Sequence, residues 1–330
     1  MEIKEYILYP ESKESLISLL KGKFYETVIN ENPGHKISNS KIRRLLVSGN
    51  VFVNDTRIKI PGYVVRRGDR IRIFFDQEKF EFEKSPGDIP FTLENRDVIY
   101  EDEYLIAVNK PPCFPTEAVI VKDRNNLHYE VKNYLWKKSG QKNIPYAGVL
   151  HRLDRETSGV VVFSKNRNIN KEMFDIFSNH NLTKKYLALS FAEKPGINKS
   201  FTVSGFMKRT SPKSRQCKWG IVTENRNGVE EKYSKTDFEI LGFRNCTVLI
   251  RAVPLTGRTH QIRVHLASEN LPILGDSLYG GKLKYGKTAV PRTMLHAEEI
   301  SFTHPVTGEK LCLKANLPGD FKKLLKDAGL

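Results

Sequence analysis

Apolar residues in the first quarter of the chain keep a helical spacing twice before the period shortens. Leu16, Ile17, Leu19 and Leu20, followed by Phe24 and Tyr25, predict a short amphipathic helix. Ile42, Leu45 and Leu46 predict another over 40–46, with Lys41, Arg43 and Arg44 flanking its packed face. Val51-Phe52-Val53 running into Asn54-Asp55 then reads as a strand entering a turn, and Gly68-Asp69 marks a second turn before Ile71 and Ile73. A strand over 104–110 is stopped by Pro111 and Pro112. Val149-Leu150 and Val160-Val161-Val162-Phe163 suit buried strands, and between them stands the polar nonapeptide His151 to Gly159. Met173, Ile176 and Phe177 predict a helix over 168–180 and read as core packing. Segments 184–189, 236–241 and 247–253 read as strands. After a turn ending at Gly257, Thr259 is placed to cap a helix with Ile262 and Leu266 on one face.

Charge sharpens this outline. Lys and Arg outnumber Asp and Glu by 54 to 38, giving +16 and a pI near 9.5, as expected of a protein that neutralises phosphates. Residues 36–72 hold ten basic and two acidic side chains, a net +8, so half of the excess lies in about a ninth of the length. A charge run of this kind is ordinarily a solvated face. A second basic stretch, 199–218, has six cations and no acid, among them Lys208 and Arg209; Phe201, Phe206 and Trp219 are interleaved, and 211–215 reads as a loop. Acidic residues at 78, 81 and 83 and then Ser85-Pro86-Gly87 predict that an N-terminal domain over 1–85 ends in a linker at 86–90, with a second domain over 91–330.

Some chemistry is disfavoured. Cys113, Cys217, Cys246 and Cys312 are scattered, which suggests neither a disulfide framework nor a zinc knuckle and fits a reducing cytoplasm. His260 and His265 are five apart, a poor spacing for two ligands on one helix face, so no metal is expected. No aliphatic run approaches the roughly 20 residues of a membrane span. The chain reads as soluble and cytoplasmic, without membrane association, and as a monomer.

Asp154, between Arg152 and Arg155, would by itself be an ion-pair or turn residue. Yet His151-Arg152-Leu153-Asp154-Arg155-Glu156-Thr157-Ser158-Gly159, with the apolar strand after it, resembles the catalytic motif of the pseudouridine synthases that modify ribosomal and transfer RNA. Three further stretches resemble motifs of the same family in order: 104–112, then 255–280 with Gln261-Ile262-Arg263-Val264-His265, then 294–297 with 302–309. Cys113 stands where the family commonly has Gly, Thr116-Glu117 where Val-His is common, and Asn270-Leu271 where Gly-His is common. Residues 14–75 resemble a small RNA-binding module first described in a small-subunit ribosomal protein, which turns the basic Lys41, Arg43, Arg44, Arg66 and Arg67 into expected phosphate contacts.

The resemblance implies an α+β protein: a catalytic domain with a mixed, mostly antiparallel central sheet flanked by helices, plus a small N-terminal α/β RNA-binding module. It implies Asp154 as nucleophile, Arg263 as its cationic partner and Tyr186 against the target base. Otherwise Tyr186 would read as a half-buried strand residue. Leu153 and Leu295 become pocket wall, and Arg152 the group filling the stack that a flipped nucleotide vacates. Lys208 and Arg209 join the expected RNA contacts. Uridine and pseudouridine are isomers, so the reaction gains and loses no atoms and requires neither a cofactor nor a metal. Ribosomal RNA, of the large subunit, is favoured as partner over transfer RNA. A non-catalytic RNA-binding ribosome-assembly factor is the reading from another class, and the set Asp154, Arg263 and Tyr186 argues against it.

Overall fold

The computed structural model describes residues 3–31, 42–43, 45–46, 49–76, 89–117, 125–140, 142–178, 181–193, 199–211, 217–222 and 231–330. These fall into two compact units, one within residues 1–87 and one from residue 88 onward.

The first unit pairs a four-stranded antiparallel sheet with a helical segment. Strand order is Ile3–Leu8, Ile71–Asp76, Val51–Val53, Thr56–Arg57. The strand Ile3–Leu8 was not legible as one in the sequence. Ser15 caps the helical segment by accepting from Ser18 N, and Leu16–Leu19, Leu20–Phe24 and Tyr25–Glu31 then follow without a break, the middle stretch as a π-turn. The helical spacing puts Leu16, Leu19, Leu20, Phe24 and Val28 in the core. Tyr6, Phe24 and Phe75 meet edge to face there, with centroids 5.4–5.9 Å apart. Ile42, Leu45 and Leu46 are helical and buried, as their spacing predicts, and Arg43 is exposed. Lys41, Arg44 and the linker at 86–88 lie outside the described residues. Asn54 and Asp55 both take positive φ, 47° and 64°, in the hairpin turn.

In the second unit one sheet of eleven strands runs Trp219–Val222, Ser200–Arg209, Lys232–Arg244, Thr247–Pro254, Leu182–Phe191, Leu295–Thr303, Ser158–Ser164, Leu105–Lys110, Val98–Glu101, with Lys310–Lys314 and Gly148–Val149 pairing beside this path. Among the described residues, only Ser158–Ser164 against Leu295–Thr303 is a parallel pairing in this sheet. That seam lies near the middle, and the Asp154 loop enters it. Gly159 makes the close approach possible: its φ is +120°, and a Cβ there would stand 2.1 Å from the Ala297 carbonyl oxygen. Ser158–Ser164 is buried at every position, which explains its unbroken apolar run.

Helices Leu127–Ser139, Asn170–Ser178, Gln261–Ser268 and Gly319–Ala328 belong to the same unit. Two expectations need correction. Thr259 does not cap the third of these helices; His260 is the cap residue, in the left-handed region at φ 59°, and makes no side-chain cap bond. Instead Gln261 Oε1 accepts from Arg258 N at 3.0 Å and from Thr256 Oγ1 at 2.6 Å, fixing the entry from inside the turn. Met173 is core as expected, but Phe177 is only partly buried and stacks on His151, centroids 5.0 Å apart. The helix period gives the facing side, and tertiary contact decides what covers it.

Candidate active site

Backbone hydrogen bonds fix the Asp154 loop from all sides. Thr116 Oγ1 donates to the Leu153 carbonyl at 3.0 Å and accepts from Leu153 N at 3.2 Å. The Asp154 carbonyl closes the turn on Thr157 N at 3.0 Å. The Arg155 carbonyl accepts from Lys110 Nζ at 3.1 Å and Phe114 N at 3.2 Å, and the Glu156 carbonyl from Arg292 Nη1 at 3.0 Å. Lys110 spends its other donors on the Pro111 and Phe114 carbonyls, and burial, with the charge of Arg292, pushes its pKa down to about 7. Arg292 is anchored in turn by a forked pair to Asp320, 2.7 and 3.0 Å, at the start of the last helix. Cys113 takes φ +58°, so the left-handed turn survives where a glycine is common.

The Asp154 carboxylate meets a guanidinium whose orientation is imposed from behind. Arg263 donates from Nη1 to Asp154 Oδ2 at 3.1 Å. Its Nε and Nη2 fork onto Asp276 at 2.7 and 2.9 Å, and Asp276 also accepts from Leu278 N and Tyr279 N. Side-chain exposure is 0% for Asp276, 11% for Arg263 and 31% for Asp154, so the cation is held inside and the nucleophile candidate is the part that opens to solvent. Burial works against the charge of Arg263, but the bonds and charges of Asp276 and Asp154 outweigh it and raise its pKa above the ordinary guanidinium value.

A second group reaches the same oxygen. His260 Nε2 lies 3.8 Å from Asp154 Oδ2, and its Nδ1 lies 2.9 Å from Tyr279 Oη. Tyr279 Oη also accepts from Trp219 N at 3.0 Å, so its hydroxyl ties the His260 ring to that backbone group. Burial lowers the His260 pKa, with Asp154 opposing in part, so the ring is neutral at neutral pH.

Tyr186 sits where two apolar clusters meet, one containing Leu295 and the other Leu153. A bulge between Lys185 and Tyr186 shifts the register, so that Lys185 pairs with Glu299 and Tyr186 with Ala297. The extra residue is Glu298 on the partner strand, and Tyr186 lies close enough to Asp154 to feel its charge. Burial, then the charge of Asp154, raises the Tyr186 pKa, so at neutral pH it is a phenol. Leu153 and Leu295 are 8% and 5% exposed. Arg152 reaches outward: 69% of its side chain is exposed, and its contact is Glu117 at 3.3 Å.

The structure therefore brings together Asp154, Arg263, Tyr186, Leu153 and Leu295. Lys208 and Arg209 are on the hairpin strand Ser200–Arg209, the first 3.9 Å from Glu231 and the second donating to the Ser211 carbonyl. Arg43, Arg66 and Arg67 are exposed on the N-terminal unit. Sequence reasoning missed Asp276, His260, Tyr279, Thr116, Lys110 and Arg292. A carboxylate one glycine beyond the apolar run Leu271-Pro272-Ile273-Leu274 was the available signal for Asp276. Among the described residues no group of three or more His, Cys, Asp or Glu side chains converges as a metal site would require, and no helix is long and apolar enough to cross a membrane.

Residues 104–268 match the RNA pseudouridylate synthase family. A ribosomal large subunit pseudouridine synthase C of Buchnera aphidicola is 33% identical over 294 residues, spanning 87% of this chain and 88% of that protein. The chain belongs to the RNA pseudouridylate synthase family. It is an RNA pseudouridine synthase, an isomerase, and residues 34–71 match the S4 domain, an RNA-binding module. The protein of the same name from Escherichia coli K12 is 30% identical over 300 residues, 88% of each chain, and an uncharacterised RNA pseudouridine synthase of Mycoplasma pneumoniae is 30% identical over 310 residues, 93% of this chain and 92% of that one. Among solved structures, human RNA pseudouridylate synthase domain containing 4 superposes with a TM-score of 0.58 at 24% identity, covering 71% of this chain and 93% of that one, which shows the shared synthase fold.

Proposed function

We propose that this synthase isomerises a uridine of large-subunit ribosomal RNA, with Asp154 as nucleophile acting on a nucleotide flipped out of its stack. The observation that carries the reading is the alignment of Asp154 by Arg263, itself clamped by the fully buried Asp276. The reaction breaks the bond from the ribose anomeric carbon to uracil N1 and rejoins that carbon to C5, while the C5 hydrogen leaves and N1 gains one. A single carboxylate serves, because the detached uracil stays in the site and needs no acid to expel it. Arg263 orients the Asp154 carboxylate through its 3.1 Å hydrogen bond, and the edge of the His260 ring stands 3.8 Å from the same oxygen. Tyr186 gives the uracil a face, and as a phenol it is a hydrogen-bond partner beside C5. Leu153 and Leu295 close the apolar wall. Flipping costs a few kcal/mol, and the exposed planar guanidinium of Arg152 suits the gap left behind. The ribosomal target is supported by the names of the relatives from Buchnera aphidicola and Escherichia coli.

The test is tritium release from RNA labelled at uridine C5, with wild type and Asp154→Asn on ribosomal and transfer RNA. Release from ribosomal RNA by wild type alone is expected, with RNA affinity unchanged in the variant. Release from transfer RNA only would overturn the target, and equal release by Asp154→Asn would overturn the nucleophile.

A further inference from the structure

Lys184 is a half-buried cation that hydrogen-bonds and ion-pairs with none of the described residues. It stands on the strand Leu182–Phe191, two residues before Tyr186. Its ammonium lies 5.1 Å from the centre of the Phe177 ring, and a Cβ on Gly257, three residues before His260, would stand 4.0 Å from Nζ. His151, three residues before Asp154, stacks on the same Phe177 ring and feels the charge of Lys184. The backbone N–H of Val162 donates to His151 Nε2 at 3.0 Å, which makes that nitrogen an acceptor and puts the proton of the neutral ring on Nδ1. Nδ1 has no acceptor among the described residues. Phe177, His151 and the Gly257 turn thus frame one charged donor and one neutral donor, with no anion paired to them among the described residues.

Removing an ammonium from water without a counter-charge is costly. Burial lowers the Lys184 pKa to about 8, which still leaves it charged at neutral pH. An anion that arrives with the substrate offsets that cost, and in RNA it is a backbone phosphate. We propose that Lys184, on the wall formed with His151 and Phe177, binds the RNA phosphate adjacent to the nucleotide that enters the pocket. This rests on the RNA-modifying reading of the Asp154 site. It adds a contact that fixes the register of the strand, because phosphate contacts position while base contacts specify.

The experiment measures binding of a fluorescent twelve-residue oligouridylate against KCl concentration for wild type, Lys184→Met and Lys184→Arg, alongside kcat and KM for tritium release from ribosomal RNA. Loss of one phosphate contact lowers the log–log salt slope by about 0.7 on a single strand. Lys184→Met is expected to show that drop, with KM raised about tenfold and kcat within about twofold of wild type; Lys184→Arg is expected to restore both. An unchanged slope in Lys184→Met, or an equal loss in Lys184→Arg, would overturn the subsite, since only packing then depends on the side chain. Absence of tritium release from ribosomal RNA by wild type bears on the target alone, because the oligouridylate slope reads Lys184 separately.

Discussion

Asp276→Asn tests whether the buried clamp behind Arg263 orders the site. Asp276 accepts four hydrogen bonds, two from Arg263 and two from the backbone at Leu278 and Tyr279, and is fully buried. Asparagine keeps the shape but loses the charge and turns one acceptor into a donor facing a donor. Breaking a buried pair costs about 3–5 kcal/mol, and because Asp154 still faces Arg263 the lower end applies. In a unit of this size each kcal/mol moves the melting temperature by about 2–4 °C, so a drop of about 6–12 °C is expected. With its Nε and Nη2 unanchored, Arg263 no longer presents Nη1 to Asp154 at a fixed angle. A charge-assisted hydrogen bond contributes about 1.5–3 kcal/mol, which corresponds to about a 10- to 100-fold fall in kcat. Melting is followed by far-ultraviolet circular dichroism and turnover by tritium release, with the RNA saturating so that kcat is read. A variant melting within about 2 °C of wild type and turning over normally would refute the reasoning, since a buried charge pair cannot be halved without cost.

Two further outcomes follow from the packing. Gly159→Ala sets a Cβ against the Ala297 backbone in a left-handed conformation, and a destabilisation of about 3 kcal/mol with loss of turnover is expected; an unchanged urea midpoint would contradict the close approach. Burial pushes the pKa of His265 and His296 to about 4 and of His151 to about 3, from 6.5. These rings are therefore neutral when folded and charged when unfolded at about pH 5, so the unfolded state binds close to three more protons and stability falls as pH drops from 6.5 toward 4. Calorimetric melting across that window reads the uptake, and fewer than about one proton would contradict it.

Neighbours in the chain made the nonapeptide legible. The helical spacing of Leu16 to Phe24, the buried run Ser158–Ser164 and the two prolines closing Leu105–Lys110 are local patterns, and local sterics and burial suffice to produce them. Asp154 and Arg263 could be named because each lies inside a recognisable run, although 109 positions separate them. What tertiary structure alone decided is how those runs meet. The parallel seam at Gly159 and Ala297 joins segments 138 residues apart, and no local propensity encodes a register between them. Tyr186 pairs with Ala297 because Glu298, on the partner strand, is an extra unpaired residue, and period-two reasoning on either strand has no sign for that bulge. Lys110, Arg292 and Thr116 act through backbone carbonyls, groups every residue carries, so sequence cannot say which carbonyl a side chain will find. Thus the chain by itself determined the candidate nucleophile and the basic character that suits RNA. The fold decided its charge partner's anchor, its fixed loop and the open wall at Lys184, because hydrogen bonds between distant segments exist only once those segments are packed.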